Sequence, residues 1–197
     1  MLRKLVSNAV AVCVIFAFCG LTNINAGNDL THEVSIMIGQ KSLDGDDWGT
    51  LDSQLEFGAE YDFTKEVWPV SGVFGVLFSN DDGTENGFSV DGSTREIYAG
   101  VKKYFDVDEN GKILPYISGG LASIYGEIDA TINNRTIKYS DSAIGLWLSG
   151  GLNVMINEDI FIGGLLRYSM ANLDFAPEVE VEGGGIHFGL TGGIKFN

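Results

Sequence analysis

The sequence predicts an all-β fold: an eight-stranded antiparallel up-and-down transmembrane β-barrel preceded by a cleaved signal peptide. Three observations carry that prediction. Apolar and polar residues alternate with period 2 in segment after segment, the segments are joined by alternately short and long connections, and glycine (27) is abundant while proline (three) is scarce. Period 2 sets one face of a strand against an apolar medium and the other against a polar one. Glycine at about twice ordinary usage, with 11% aromatic residues, suits strands and tight turns better than helices. A chain of 197 residues fits one domain of ordinary size, and 45% apolar residues exclude a disordered tail. The net charge of −15 argues against a nucleic-acid partner, which needs a basic face.

Residues 1–26 read as the signal peptide and 27–197 as the barrel domain. Arg3 and Lys4 give a basic start, Ala9 to Cys19 form an apolar run, and Ala26 supplies the small residue at the end. The run is shorter than the roughly 20 residues that a membrane-spanning helix needs. Cleavage removes two cations and no acid, so the charge deepens to −17, and Cys13 and Cys19 leave with the segment. What remains has no disulfide, no thiol nucleophile and no thiolate metal site.

The strand segments are, in order, 32–41, 51–63, 67–79, 94–105, 113–126, 142–154, 160–171 and 185–196. In 51–63, Leu51, Leu55, Phe57, Ala59, Tyr61 and Phe63 oppose Asp52, Gln54, Glu56, Glu60 and Asp62. In 94–105, Ile97, Ala99 and Val101 oppose Glu96, Tyr98, Lys102 and Tyr104. In 185–196, Ile186, Phe188, Leu190 and Ile194 oppose His187, Thr191 and Lys195. The remaining strands are noisier, and Pro69 and Pro115 fall near strand starts, where a missing donor is tolerated. The expected lipid-facing band includes Leu55, Phe57, Ile97, Val101, Leu146, Leu148, Leu166, Phe188 and Leu190. A soluble lipocalin-like barrel would turn its apolar face inward; a mean hydropathy of +0.11 at this charge favours the membrane version.

The connections 64–66, 106–112 and 156–159 are short, whereas 42–50, 80–93, 127–141 and 172–184 are long. Tight periplasmic turns alternating with longer outside loops are the pattern of an outer-membrane barrel, with both termini on the periplasmic side. Tyr61, Phe63, Trp68, Tyr104, Phe105, Tyr116 and Phe161 cluster at the short turns and are expected to form an interfacial girdle.

Eight strands enclose room for side chains only. The phase places Glu33, Glu56, Glu60, Glu96, Lys102, Arg167, His187 and Lys195 inside. Buried charges must pair. The expectation is therefore an ionic network that fills the lumen, with Arg167 bonded to one or more of Glu56, Glu60 and Glu96. Asp106-x-Asp108-x-Asn110-Gly111 matches the start of a calcium loop, but Ile117 stands at the twelfth position and strands flank it. A hairpin turn with Gly111 at positive φ accounts for these residues. The acidic stretch around Asp81 and Asp82 reads as a solvated loop. No metal site, cofactor or catalytic residue is assigned: His32 and His187 lie on the first and last strands, neighbours in a closed barrel, but in opposite phases.

Ile113-Leu114-Pro115-Tyr116-Ile117-Ser118-Gly119-Gly120-Leu121 and Glu96-Ile97-Tyr98-Ala99-Gly100-Val101-Lys102-Lys103-Tyr104-Phe105 resemble the fifth-strand opening and the fourth strand of the small outer-membrane β-barrel superfamily of the OmpA, OmpX, OmpW and opacity-protein kind. The resemblance covers nearly all of 31–197. The last strand is similar to the family's terminal assembly signal, with Phe196 as its aromatic residue, although Asn197 follows it. The resemblance implies an outer-membrane location in a Gram-negative bacterium, a monomer, and contact with outer-membrane lipids, lipopolysaccharide and the barrel assembly machinery. It implies a structural or adhesin-like surface protein whose acidic loops meet an extracellular ligand. The alternative is a narrow OmpW-like transporter or porin-family channel for small apolar solutes. A lipid A-modifying enzyme is a third reading, but the His-x-Ser strand motif of the lipid A deacylases has no counterpart, since Phe188-Gly189 follow His187.

Overall fold

Strands form wherever the period-2 pattern runs, and several run further than the pattern alone suggests. The computed structural model describes residues 30–197 except 86–87, 109, 133–134 and 177–178, and the side chains of 85, 132, 176 and 179–180 also lie outside the description. The expected signal peptide falls outside the described residues. The strands are β1 (Leu30–Ser42), β2 (Ser53–Lys65), β3 (Ser71–Glu85), β4 (Phe88–Tyr104), β5 (Ile113–Ile132), β6 (Arg135–Met155), β7 (Ile160–Met170), β8 (Asn172–Ala176), β9 (Val179–Glu182) and β10 (Gly185–Phe196). Eight of them close an antiparallel barrel in the order β1-β10-β7-β6-β5-β4-β3-β2, and β8 and β9 form a separate hairpin.

Two of the expected long loops are not loops. Pairing of β3 with β4 continues to Glu85↔Phe88, that of β4 with β5 to Ser89↔Thr131, and that of β5 with β6 to Ile132↔Arg135. The reason is visible in 88–130: Val90, Ile128 and Ala130 keep the inward phase apolar, so the ladder still has something to bury. A four-stranded sheet therefore stands above the closed barrel, since β2 pairs with β3 only as far as Asn80 and β7 with β6 only as far as Leu146. The loop 42–50 holds a one-turn helix, α1 (Gly45–Trp48), capped by the Asp44 carboxylate, which accepts from the Asp46 N–H at 2.9 Å. The loop 172–184 holds the β8–β9 hairpin.

The outer wall is apolar. Leu55, Ile97, Val101, Leu146, Leu148, Leu166, Phe188 and Leu190 are all exposed on it, and Phe57 is half-exposed. Among the described residues no helix is long and apolar enough to cross a membrane.

The expected aromatic girdle divides by phase. Tyr61, Phe63 and Trp68 lie on the outer wall and continue a row of rings: Phe196 stacks on His32 (5.5 Å), His32 on Tyr61 (5.9 Å), Tyr61 on Phe63 (6.0 Å), and Phe63 meets Trp68 edge-on. Phe105 is also exposed. Tyr104, Tyr116 and Phe161 instead point inward and are not part of a girdle. Tyr104 and Tyr116 face each other in register on the phase of Lys102, and Phe161 shares the phase of Arg167. Strand parity thus overrides nearness to a turn. Glycines make the room: a Cβ at Gly151 would lie 2.4 Å from the Tyr116 hydroxyl, and one at Gly75 would lie 2.3 Å from the Tyr98 ring.

Because Phe196 and His32 stack across the β1–β10 seam, Phe196→Ala should lower stability by about 1–2 kcal/mol and slow folding into vesicles. The gel shift between heated and unheated samples follows both quantities. An unchanged urea midpoint and rate would contradict this role.

Candidate functional site: the filled lumen and its outer cap

The lumen carries two layers of charge. The layer nearer the long loops is built on three adjacent strands, where Lys41, His187 and Arg167 are direct register neighbours on β1, β10 and β7. The two cations, Lys41 and Arg167, flank His187, and a carboxylate on the opposite wall compensates them. Glu96 reaches across from β4, accepting from Lys41 Nζ at 2.9 Å, Arg167 Nη2 at 2.8 Å and Ser169 Oγ at 3.0 Å. Glu56 of β2 stands 2.8 Å from His187 Nδ1. The Arg167 guanidinium also lies 4.0 Å from the Tyr98 ring centre and 4.5 Å from that of Trp147. Lys41, Glu56, Glu96, Arg167 and His187 are all buried.

The layer nearer the short turns gathers around Lys102, which donates to Glu60 and Asp62 and lies 4.8 Å from the Tyr116 ring centre. Tyr98 donates to Glu60 and Tyr104 to Glu33, each at 2.8 Å. Lys195 shares the lumen phase and faces Glu33 in register, but its side chain is exposed at the rim. Between the layers lies a cavity of about 20 Å³ lined by Ser35, Ser118, Ser149, Arg167 and Thr191 among others, enough for about one water molecule.

Arg167 therefore meets one of the three glutamates expected for it, Glu96, while Glu56 bonds to His187 and Glu60 to Lys102. Phase alone cannot say which inward residues share a height, because strand stagger sets that. Two charged members of the network, Lys41 and Asp62, are absent from the sequence-derived set. Lys41 has the odd phase of Glu33 on β1, and Asp62 has the even phase of Glu56 and Glu60 on β2, so the same alternation marks both.

Ser169, His187 and Glu56 stand in the contact order of a nucleophile, a base and an orienting acid, with Ser169 Oγ 2.9 Å from His187 Nε2. The surroundings oppose that chemistry. Both Ser169 and His187 are 0% exposed. Ser169 donates its one proton to Glu96, so a carboxylate occupies the place where an oxyanion would need donors. All three side chains are buried inside the lumen.

Above this layer the long loops fold into a cap. Leu43, Trp48, Leu51, Val90 and Val181 form an apolar cluster, with Ile128, Ala130 and Phe175 packed against it. Trp48 Nε1 donates to the Glu182 carbonyl at 2.8 Å, and the Glu182 N–H donates to Asp47 at 2.8 Å. Lys41 ties cap to lumen by donating to the Gly183 carbonyl at 2.9 Å. Around the cap, the Asp174 and Ser142 N–H groups hold Asp141 below the usual carboxylate range. The Lys138 ammonium does the same for Glu127. At the opposite end, Asp108 accepts from the N–H groups of Asn110 and Lys112, and Gly111 has φ +62°, the hairpin turn expected there.

Comparison with known proteins agrees with this geometry. The family model described as outer membrane protein beta-barrel domain matches residues 11–196. No curated protein matches the sequence. Among solved structures, Ail of Yersinia pestis in complex with the heparin analogue sucrose octasulfate is similar (15% identity, 86% of this chain and 100% of that one, TM-score 0.58). So are OprG of Pseudomonas aeruginosa (15% identity, 89% and 100%, TM-score 0.57) and a major outer membrane protein of Thermus thermophilus (10% identity, 86% and 100%, TM-score 0.58). With its described strands closing an eight-membered ring and nearly its whole sequence matching that model, the chain belongs to the outer membrane protein β-barrel domain family and is a protein of the Gram-negative outer membrane.

Proposed function

We propose that this barrel is a non-conducting, non-enzymatic surface protein that works through the sheet and cap standing outside the membrane. The observation that carries the reading is the combination of a lumen closed by two charged layers with a four-stranded sheet prolonged beyond the lipid band. Strand that crosses nothing and conducts nothing is there to be met from outside. The lipid-facing band contacts outer-membrane lipids and lipopolysaccharide, the last strand with Phe196 addresses the assembly machinery, and the barrel acts as a monomer.

The transporter alternative calls for an apolar opening through the wall. An outer hollow does occur, lined by Leu121, Leu146, Leu148, Tyr168 and Met170, but Trp147 stands between it and the central cavity. Trp147 is anchored there, donating to the carbonyls of Ala99 and Leu121. A polysulfated ligand such as the one bound to Ail suits this chain poorly. Twelve described carboxylates face the outside (Asp44, Asp46, Asp47, Asp52, Asp81, Asp82, Asp91, Glu127, Asp129, Asp141, Asp174 and Glu182) against three cations, Arg95, Arg135 and Lys138.

Planar-bilayer recording and liposome swelling test the reading. The purified barrel should give no conductance steps and should admit small solutes no faster than protein-free vesicles. Steady conductance, or swelling in the presence of small apolar solutes, would replace it with the transporter.

A further inference from the structure

We propose that the uncovered inner face of the projecting sheet docks a cationic partner bearing aliphatic or aromatic side chains, a basic amphipathic peptide segment. This rests on the surface-protein reading above and names the partner's chemistry. The inner face is apolar by construction. Val90, Ile128 and Ala130 lie on it and are covered by the cap. In register, Ala130 is followed by Ile137 and Ile128 by Tyr139, so the same two rows of apolar side chains continue onto β6. There the cover stops: Ile137 is 46% exposed, Tyr139 43%, and Phe88, at the end of β4 on the same face, 41%. These residues stand on the sheet that projects past the closed barrel, and exposed aliphatic and aromatic groups there face water at a cost unless something covers them.

The surroundings select the occupant. Asp81 and Asp141 share that inward phase, Asp174 of the cap donates its N–H to Asp141, and Arg135 is the described cation of the same phase on the projecting strands. Asp47 and Asp141 accept from backbone N–H groups, which order them without neutralising them. An anionic partner would bring like charge against this rim. A purely polar cation would leave Ile137, Tyr139 and Phe88 wet. A segment that is basic on one side and apolar on the other satisfies both the rim and the face, the arrangement expected of complementary interfaces. The outer side of β6 differs: Lys138 is already bonded to Glu127, so a cation gains less there.

The test uses the whole barrel in phosphatidylcholine nanodiscs, with empty nanodiscs as reference. The probes are three peptides of one length: Lys/Leu in an amphipathic helical pattern, Glu/Leu in the same pattern, and Lys/Ser. The Lys/Leu peptide should bind, weaken steeply with salt, and bind at least about tenfold more tightly than either other peptide. Ile137→Ser with Tyr139→Ser should remove about that tenfold while leaving any weak Lys/Ser binding unchanged. Both positions are exposed, and a heat-induced gel shift verifies that the variant barrel is folded. Equal binding of Lys/Ser, preferred binding of Glu/Leu, or an unaltered affinity in the double variant would each overturn the proposed partner while the surface reading stands. Absence of peptide binding together with steady conductance would overturn the surface reading itself.

Discussion

Replacing Glu96 with alanine should lower the stability of the barrel in lipid by about 3–5 kcal/mol, the range for breaking a buried ion pair from one side. Glu96 is the carboxylate shared by Lys41 and Arg167, with Ser169 as a third donor. The two cations flank His187 in register on adjacent strands, so without Glu96 they face one another with only Glu56 beside them. Arg167 cannot shed its proton. The effect is not additive: Glu96→Leu combined with Lys41→Met and Arg167→Met removes donors and acceptor together and should cost less than Glu96→Ala alone. Urea titration of vesicle-embedded protein, followed by tryptophan fluorescence, measures each. A loss under about 1 kcal/mol for Glu96→Ala would mean that the layer contributes little.

Leu190→Arg is the second large effect. Leu190 sits midway along β10, 70% exposed on the outer wall, with Phe188 before it on the same face. A guanidinium at that depth should cost about 2–4 kcal/mol, against about 0–1 near the interface. Gln40→Arg, at the loop end of β1 and on the outer phase, is the matched control. Thr191→Arg is a poor control, because Thr191 borders the small central cavity, where a long side chain overpacks. Equal tolerance of Leu190→Arg and Gln40→Arg would argue against a lipid-facing wall.

Much of this molecule is legible in the sequence because a barrel leaves side chains only two places to go. Parity alone puts Leu190 outside, His187 inside, and Glu56, Glu96, Lys102 and Arg167 on the inward phase. It would also have placed Lys41 and Asp62 there. Height is another matter. Which carboxylate meets Arg167 depends on the stagger between strands, which no local pattern encodes. The same ignorance of geometry misplaced Tyr104, Tyr116 and Phe161, whose nearness to turns suggested a girdle although their parity points inward. The long loops mislead for a different reason. Segments 80–93 and 127–141 are rich in turn-forming and charged residues, and only the cap, assembled from 42–52 and 172–184, gives Val90, Ile128 and Ala130 a surface to bury against. That contact joins parts of the chain distant in sequence, so the extended sheet cannot be read from either part alone.

The closed lumen is most directly tested by thiol accessibility, because both cysteines of the chain, Cys13 and Cys19, lie in the expected signal peptide. Single Ser118→Cys, Ser149→Cys, Leu148→Cys and Thr136→Cys variants would be reconstituted in vesicles and treated with a charged, water-soluble thiol reagent. Thr136→Cys, exposed on the projecting sheet, should react at once, whereas Ser118→Cys and Ser149→Cys, buried beside the central cavity, should react only after denaturation. Leu148→Cys should yield only to a lipid-soluble reagent. Reaction of Ser149→Cys as fast as that of Thr136→Cys in the folded barrel would contradict a sealed lumen.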